Sequence, residues 1–171
     1  MSLHFSKDTA KELVFEDIAE YLHLQNIKIN KQDNTRPWGG FFVIEEKETE
    51  KFINLYFPHL TMLELNISGK LSPKILVVAP EKRLSWQYHH RRAEIWKLIG
   101  GTVAVVTSNT DEEKKTMHLS VGDIIQLKQG ERHRLIGLDN WGVVAEIWQH
   151  TDAENPSDED DIVRVQDDFG R

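Results

Sequence analysis

Beyond residue 40 the chain shows no helical period. Apolar and β-branched residues come instead in short runs broken by Gly, Pro, Asn, Asp and Ser, at 41–44, 52–57, 62–67, 75–79, 83–89, 94–99, 102–107, 115–119, 123–127, 133–138 and 143–148. Eleven short strands at this spacing predict an all-β sandwich or barrel, because βαβ units would need helical stretches between strands. The tetrapeptide Ser108-Asn109-Thr110-Asp111 has the composition of a hairpin turn. No internal repeat stands out.

The first segment reads differently. Val14, Ile18, Tyr21 and Leu22 fall at i, i+4, i+7 and i+8, which predicts an amphipathic helix over about 8–24. A polar connector, 30–35, leads to Arg36-Pro37-Trp38-Gly39-Gly40, where proline and the glycines break regular structure. The expected organisation is a helical arm at 1–35, a β domain at 36–150, and an acidic loop with a docking tail at 151–171.

Charge narrows the function classes. The chain has 171 residues, a formal net charge of −7 and no cysteine. Six acids fall between Asp152 and Asp161, where there is no Lys or Arg, and without them the balance is −1. A near-neutral body with an acidic loop lacks the clustered basic face that nucleic acid requires. The acidic loop itself is expected to be solvated. No apolar run approaches the ~20 residues of a membrane helix, and the N-terminal residues lack a secretory apolar core, so a cytoplasmic location is expected. Without thiolates, any metal must be held by His, carboxylate or amide oxygen.

Four residues carry the chemistry that remains. Gln87 and His89 lie two apart on a predicted strand, so their side chains share a face. Parity puts Arg83 and Ser85 on that face as well. Glu94 opens the next strand, and His133 opens a later one. Two imidazoles, a carboxylate and an amide on facing strands can coordinate one divalent cation and leave positions open. The same residues at strand spacing are also what a hydrogen-bonded core presents, and spacing alone does not decide between the two.

The stretch 81–101 resembles the first cupin motif. Gln87-Tyr88-His89 stands in the H-x-H place, Glu94 follows after four residues and Gly101 after six more. The stretch from Gly122 to His133 resembles the second motif. More specifically, residues 82–94 are similar to the cupin domain of type II mannose-6-phosphate isomerases, which also carry Gln in the first ligand place. Arg36-Pro37-Trp38-Gly39 and the tail blocks 159–164 and 167–171 agree. Glu81 and Lys128 depart from the pattern at turn positions. Arg91, Ile95 and Trp148 depart at positions expected near the pocket.

The resemblance implies a double-stranded β-helix, or jelly-roll barrel, with an N-terminal amphipathic helix. It implies one divalent metal on Gln87, His89, Glu94 and His133, zinc first, with manganese, iron, cobalt or nickel also compatible. The implied reaction is aldose–ketose isomerisation of a sugar phosphate, mannose 6-phosphate to fructose 6-phosphate. The nucleotidyltransferase domain that often accompanies this cupin has no counterpart in the chain. Isomerisation needs a base near the carbonyl-adjacent carbon, and Glu146 on the last strand is the candidate. A phosphate handle calls for arginine: Arg83 by parity, and Arg164, also assigned a catalytic part, with Arg171 through the resembling tail. The remaining histidines, His150 among them, are read as ordinary surface or core residues.

Two other classes stay open, a non-catalytic cupin that binds a sugar or sugar phosphate and an iron dioxygenase using the same ligands. Barrels of this kind pair through edge strands, so a homodimer is the assembly to test.

Overall fold

The computed structural model describes residues 2–67 and 69–171. Eleven strands form two antiparallel sheets. They are β1 (Ile29–Asp33), β2 (Gly39–Ile44), β3 (Lys74–Val78), β4 (Trp86–Tyr88), β5 (Arg92–Gly100), β6 (Val103–Ser108), β7 (Met117–Leu119), β8 (Ile124–Leu127), β9 (Arg132–Gly137), β10 (Gly142–His150) and β11 (Val163–Gln166). The larger sheet runs β1-β2-β3-β10-β5-β8 and the smaller one β11-β4-β9-β6-β7. This is the expected all-β jelly roll with a helix at its N-terminus.

The larger sheet is covered on both faces, so its central strands are nearly continuous apolar runs. Side-chain alternation still sorts them. Leu76, Val78, Trp96, Leu98 and Val144 face the core between the sheets, with Val103, Val105 and Leu135 opposite them. Ile75, Val77, Ile95, Val143, Ala145 and Ile147 face outward into a second core. That core is closed by α1 (Lys11–Leu24), which buries Val14, Phe15, Ile18 and Leu22. Phe15 stacks on Phe42 with ring centroids 5.2 Å apart.

Four sequence readings are corrected. The run 52–57 is not a strand but the body of α2 (Thr49–Tyr56), whose Phe52, Ile53 and Tyr56 join the outer core. The run 62–67 is not a strand either. Its first residues make a single helical turn, α3 (Met62–Leu65), started by a capping box between Thr61 and Glu64. The connector 30–35 contains β1, a polar edge strand paired with β2. The strand expected at 83–89 shrinks to β4, leaving Arg83 in an isolated bridge to Ile136. No helix among the described residues is long and apolar enough to cross a membrane.

Candidate metal centre and its cavity

The inner core gives way at one end to polar side chains, and the strands explain which. On β5, Arg92, Glu94 and Trp96 share the inward face. Across the barrel, Gln87 on β4 pairs in register with His133 on β9. His89 follows β4 directly. Donor atoms of His89, Glu94 and His133 all lie within 4.8 Å of one another, and all three residues are buried. Gln87 lines the same cavity as Glu94, its Oε1 accepting from Ser85 Oγ at 2.5 Å.

The orientation of both imidazoles is fixed from behind. His89 Nδ1 lies 2.6 Å from the Asp161 carbonyl oxygen and His133 Nδ1 lies 3.0 Å from that of Glu131. A carbonyl only accepts, so Nδ1 carries the hydrogen in each ring and the Nε2 lone pairs point inward. Metal-binding histidines are characteristically held in this way. His133 Nε2 is buried without a hydrogen-bond partner, 3.4 Å from Glu94 Oε2. Burial lowers the pKa of His133 and takes that of His89 down to about 3. Burial also works against the charge on Glu94, but the positive charge beside it, with Arg92 donating to Oε1, outweighs that and holds the carboxyl below its ordinary value. A neutral imidazole lone pair therefore faces an ionised carboxylate, two acceptors with nothing shared between them. A cation between them would resolve the conflict, so the donor set fits a divalent metal.

A cation already stands on one side. Arg92, 4% exposed, donates through Nε to Glu94 Oε1 at 2.7 Å and through Nη2 to His89 Nε2 at 3.1 Å. Its guanidinium lies over the Trp148 ring, 3.6 Å from the centroid. Lys74 lies over the same ring at 3.5 Å and pairs with Glu159.

Glu94, Arg92, Trp148, Lys74 and Glu159 line a cavity of about 230 Å³, whereas His89 and His133 are not among its lining residues. Glu146 sits in its wall, buried, accepting from Trp96 Nε1 at 2.9 Å; the same indole reaches Glu94 Oε2 at 3.1 Å. Burial, reinforced by the charge of Glu94, pushes the Glu146 carboxyl up to about 8 against the pull of Lys74 and Arg92. Arg36, Arg164 and Arg171 line the more exposed part. Burial and the nearby charges of Arg171 and Arg36 depress the pKa of Arg164, and among the described residues it has no ion-pair partner.

With the geometry in view, the comparisons can be read. Residues 44–167 match the model of the family described as mannose-6-phosphate isomerase C-terminal. The chain belongs to this family. It is 30% identical over 124 residues to the alginate biosynthesis protein AlgA of Pseudomonas aeruginosa, covering 72% of this chain and 24% of that one. It is 34% identical over 136 residues to the mannose-1-phosphate guanylyltransferase ManC of Salmonella typhimurium, covering 80% and 22%. The chain thus spans about a quarter of the length of the curated relatives it matches. Two solved structures show the fold, a cupin jelly roll. A mutant of Bacillus subtilis oxalate decarboxylase OxdC superposes with a TM-score of 0.54 at 13% identity, covering 78% of this chain and 30% of that one. Vicilin from Solanum lycopersicum gives 0.53 at 15%, covering 81% and 35%.

Within the mannose-6-phosphate isomerase C-terminal family pattern, the expected site residues separate into two groups. His89, Glu94 and His133 converge, and Gln87, Glu146, Arg164 and Arg171 line the same cavity as Glu94. Arg83 is not among the residues lining it. It is held by Asp168 through Nε at 2.6 Å and Nη2 at 2.9 Å. Ser85, placed by the same parity, does line the cavity, but between Arg83–Ile136 and Gln87–His133 the pairing with β9 shifts register by one residue, which breaks the two-residue count. Of the departures expected near the pocket, only Trp148 is there. Arg91 bonds Asn155 and Asp158, and Ile95 faces the outer core. The acidic loop is not simply solvated, since Asp161 is 5% exposed and Asp160 lines the cavity. Sequence reasoning missed Arg92, Trp96 and Lys74. The first two share the parity of Glu94, and Lys74 is the one cation opening an apolar strand.

Proposed function

We propose that this chain is a metal-dependent aldose–ketose isomerase acting on a sugar phosphate, with mannose 6-phosphate to fructose 6-phosphate the first reaction to test. The carrying observation is the unpartnered His133 Nε2 facing Glu94, which lines the same cavity as the buried carboxyl of Glu146. Family membership supports the substrate class, because relatives that share this domain are named for mannose 1-phosphate and for alginate synthesis.

His89, Glu94 and His133, with Gln87 beside them, would hold the metal. When bound it supplies a Lewis acid for the negative charge that develops on the sugar oxygens. The chain's own groups do the rest. Glu146 takes the proton from C2 of the aldose and returns it to C1, while a proton moves in the same sense from the C2 hydroxyl oxygen to the C1 oxygen. With a divalent charge added beside Glu94, the Glu146 carboxyl is drawn from about 8 toward neutrality, the range in which a general base works well. Trp96, bonded to both Glu94 and Glu146, keeps the base in register with the ligand set. Arg164, with Arg36 and Arg171, offers the fork geometry that suits a phosphate.

A second reading is favoured by a specific contact. Arg92 already engages Glu94 Oε1 and His89 Nε2, as it would in a metal-free cupin that binds sugar phosphates without turning them over. One experiment separates the two: a coupled assay of fructose 6-phosphate formation on metal-reconstituted protein, with and without chelator. Chelator-sensitive turnover is expected. Bound metal without turnover, alongside saturable binding of mannose 6-phosphate, would replace the isomerase with the binding protein.

A further inference from the structure

The segment 157–161 lies some seventy residues beyond His89 in sequence, yet touches the site at several points. The Asp161 carbonyl takes the His89 Nδ1 hydrogen at 2.6 Å. The Asp161 carboxylate takes the backbone N–H of His90 at 3.0 Å and of Arg91 at 2.9 Å, and the Ser157 hydroxyl at 2.7 Å. Those two N–H groups belong to the turn that carries the chain from His89 toward Glu94. Arg92 joins the same network from the other side. Its Nη1 donates to Ser157 Oγ at 2.8 Å and to the Asp158 carbonyl at 3.0 Å, while its Nε and Nη2 hold Glu94 and His89.

We propose that Asp161 is a positioning residue of the metal centre: by anchoring the 89–91 turn and presenting its own carbonyl to His89 Nδ1, it keeps the Nε2 of His89 turned toward Glu94. This rests on the reading of His89, Glu94 and His133 as ligands. The physical reason is tautomer selection. The Asp161 carbonyl accepts from Nδ1 while Arg92 Nη2 donates to Nε2, so both contacts select the Nδ1–H form, and the segment supplies both, the first directly and the second through the Ser157 and Asp158 contacts that hold Arg92. Outer-shell partners of this kind are worth about 10- to 100-fold in metal affinity. Coupling is reciprocal, so metal binding tightens segment 157–161 by the same factor that loss of the segment weakens metal binding.

The test uses the full-length chain with 15N-labelled histidine, in two parts. In metal-free protein, long-range 1H–15N correlations report each tautomer. Wild type is expected to show His89 as a single Nδ1–H form; Asp161→Ala, which keeps the backbone carbonyl but loses the carboxylate that fixes the turn against it, is expected to show mixed signals. His133, held by Glu131, serves as an internal reference that does not change. Zinc affinity, read by competition with a chromophoric chelator, is expected to fall about 10- to 100-fold in Asp161→Ala. Asp161→Asn, which keeps one acceptor oxygen, is expected to recover part of both. A single Nδ1–H tautomer at His89 in Asp161→Ala overturns the proposal, as does wild-type zinc affinity in that variant. If wild type binds no zinc while the His89 tautomer is lost in Asp161→Ala, the positioning role stands and the metal reading fails. Should Asp161→Ala not fold, Ser157→Ala removes one contact to the carboxylate, and a smaller change in the same direction is required.

Discussion

At the scale of single residues, the site is defined by a conflict between acceptors. His133 Nε2 and Glu94 Oε2 stand 3.4 Å apart with no hydrogen between them. Replacing either by Ala removes the conflict together with a ligand. Both Glu94→Ala and His133→Ala are expected to lose bound metal on elemental analysis while keeping the wild-type far-ultraviolet spectrum, and metal retained in both would remove the site. Glu146 is different in kind, since it meets the ligand set only through Trp96. Glu146→Gln is expected to keep the metal and lose about 100-fold or more in turnover, the usual contribution of a general base. These residues were legible because each ligand sits on or beside a strand whose two-residue period puts it on a known face. Arg83 was misplaced by the same rule carried across a one-residue shift in register between Arg83–Ile136 and Gln87–His133. Arg92 reads from the sequence as part of a basic rim near the motifs, with His90, Arg91, Arg132 and Arg134, because a charged residue on a strand is usually solvent-facing, and only tertiary burial turned it inward.

At the scale of elements, the motif glycines divide by geometry. Gly101 has φ +72°, and a Cβ there would lie 1.7 Å from the Trp141 carbonyl oxygen. Gly122 has φ +103°, and a Cβ there would meet nothing within 4 Å. Gly101→Ala must therefore move the start of β10 or the turn out of β5, whereas Gly122→Ala meets only the backbone penalty, about 1–2 kcal/mol. We expect urea midpoints to fall clearly further for Gly101→Ala, with the difference traceable to β5–β6. Equal losses would mean that the close approach to Trp141 has relaxed. The helices show where element reading failed. In 52–57 aromatic and β-branched residues suggested a strand, but Phe52, Ile53, Tyr56 and Phe57 recur at i, i+1, i+4 and i+5, a helical stripe that the outer core selects. The Thr61/Glu64 box was readable and outweighed by composition. β1 could not be read, because its pairing with β2 is almost wholly backbone and its side chains are largely exposed.

At the scale of the molecule, the buried titratable groups of the polar end set opposing dependences of stability on pH. In the unfolded chain a histidine takes its proton near pH 6.5. The fold holds His89 down to about 3, His150 to about 4 and His133 below its ordinary value, each through burial first. Between those values and 6.5 the unfolded state binds more protons than the folded one, so stability rises with pH across that window. Glu146 acts in reverse. Its carboxyl loses its proton near 4.5 when unfolded and near 8 when folded, so the folded state holds the extra proton and stability falls as pH rises from 4.5 to about 8. Three imidazoles outnumber one carboxyl below 6.5, and above it only the carboxyl of these four still titrates. The metal-free protein should therefore melt highest near pH ~6.5 and lose stability on both sides. Lys74, opposite Glu146 and itself pushed down by burial, tilts the alkaline side the other way. For that reason the diagnostic is the difference between wild type and Glu146→Gln rather than the bare slope. Melting midpoints measured with chelator from pH 4 to 9 should show the variant gaining on wild type between pH 5 and 8, and running parallel to it only below about pH 4.5, where Glu146 is protonated in both states. Parallel curves over that range would mean that Glu146 is already ionised in the fold, and would remove the physical ground for its use as the proton carrier.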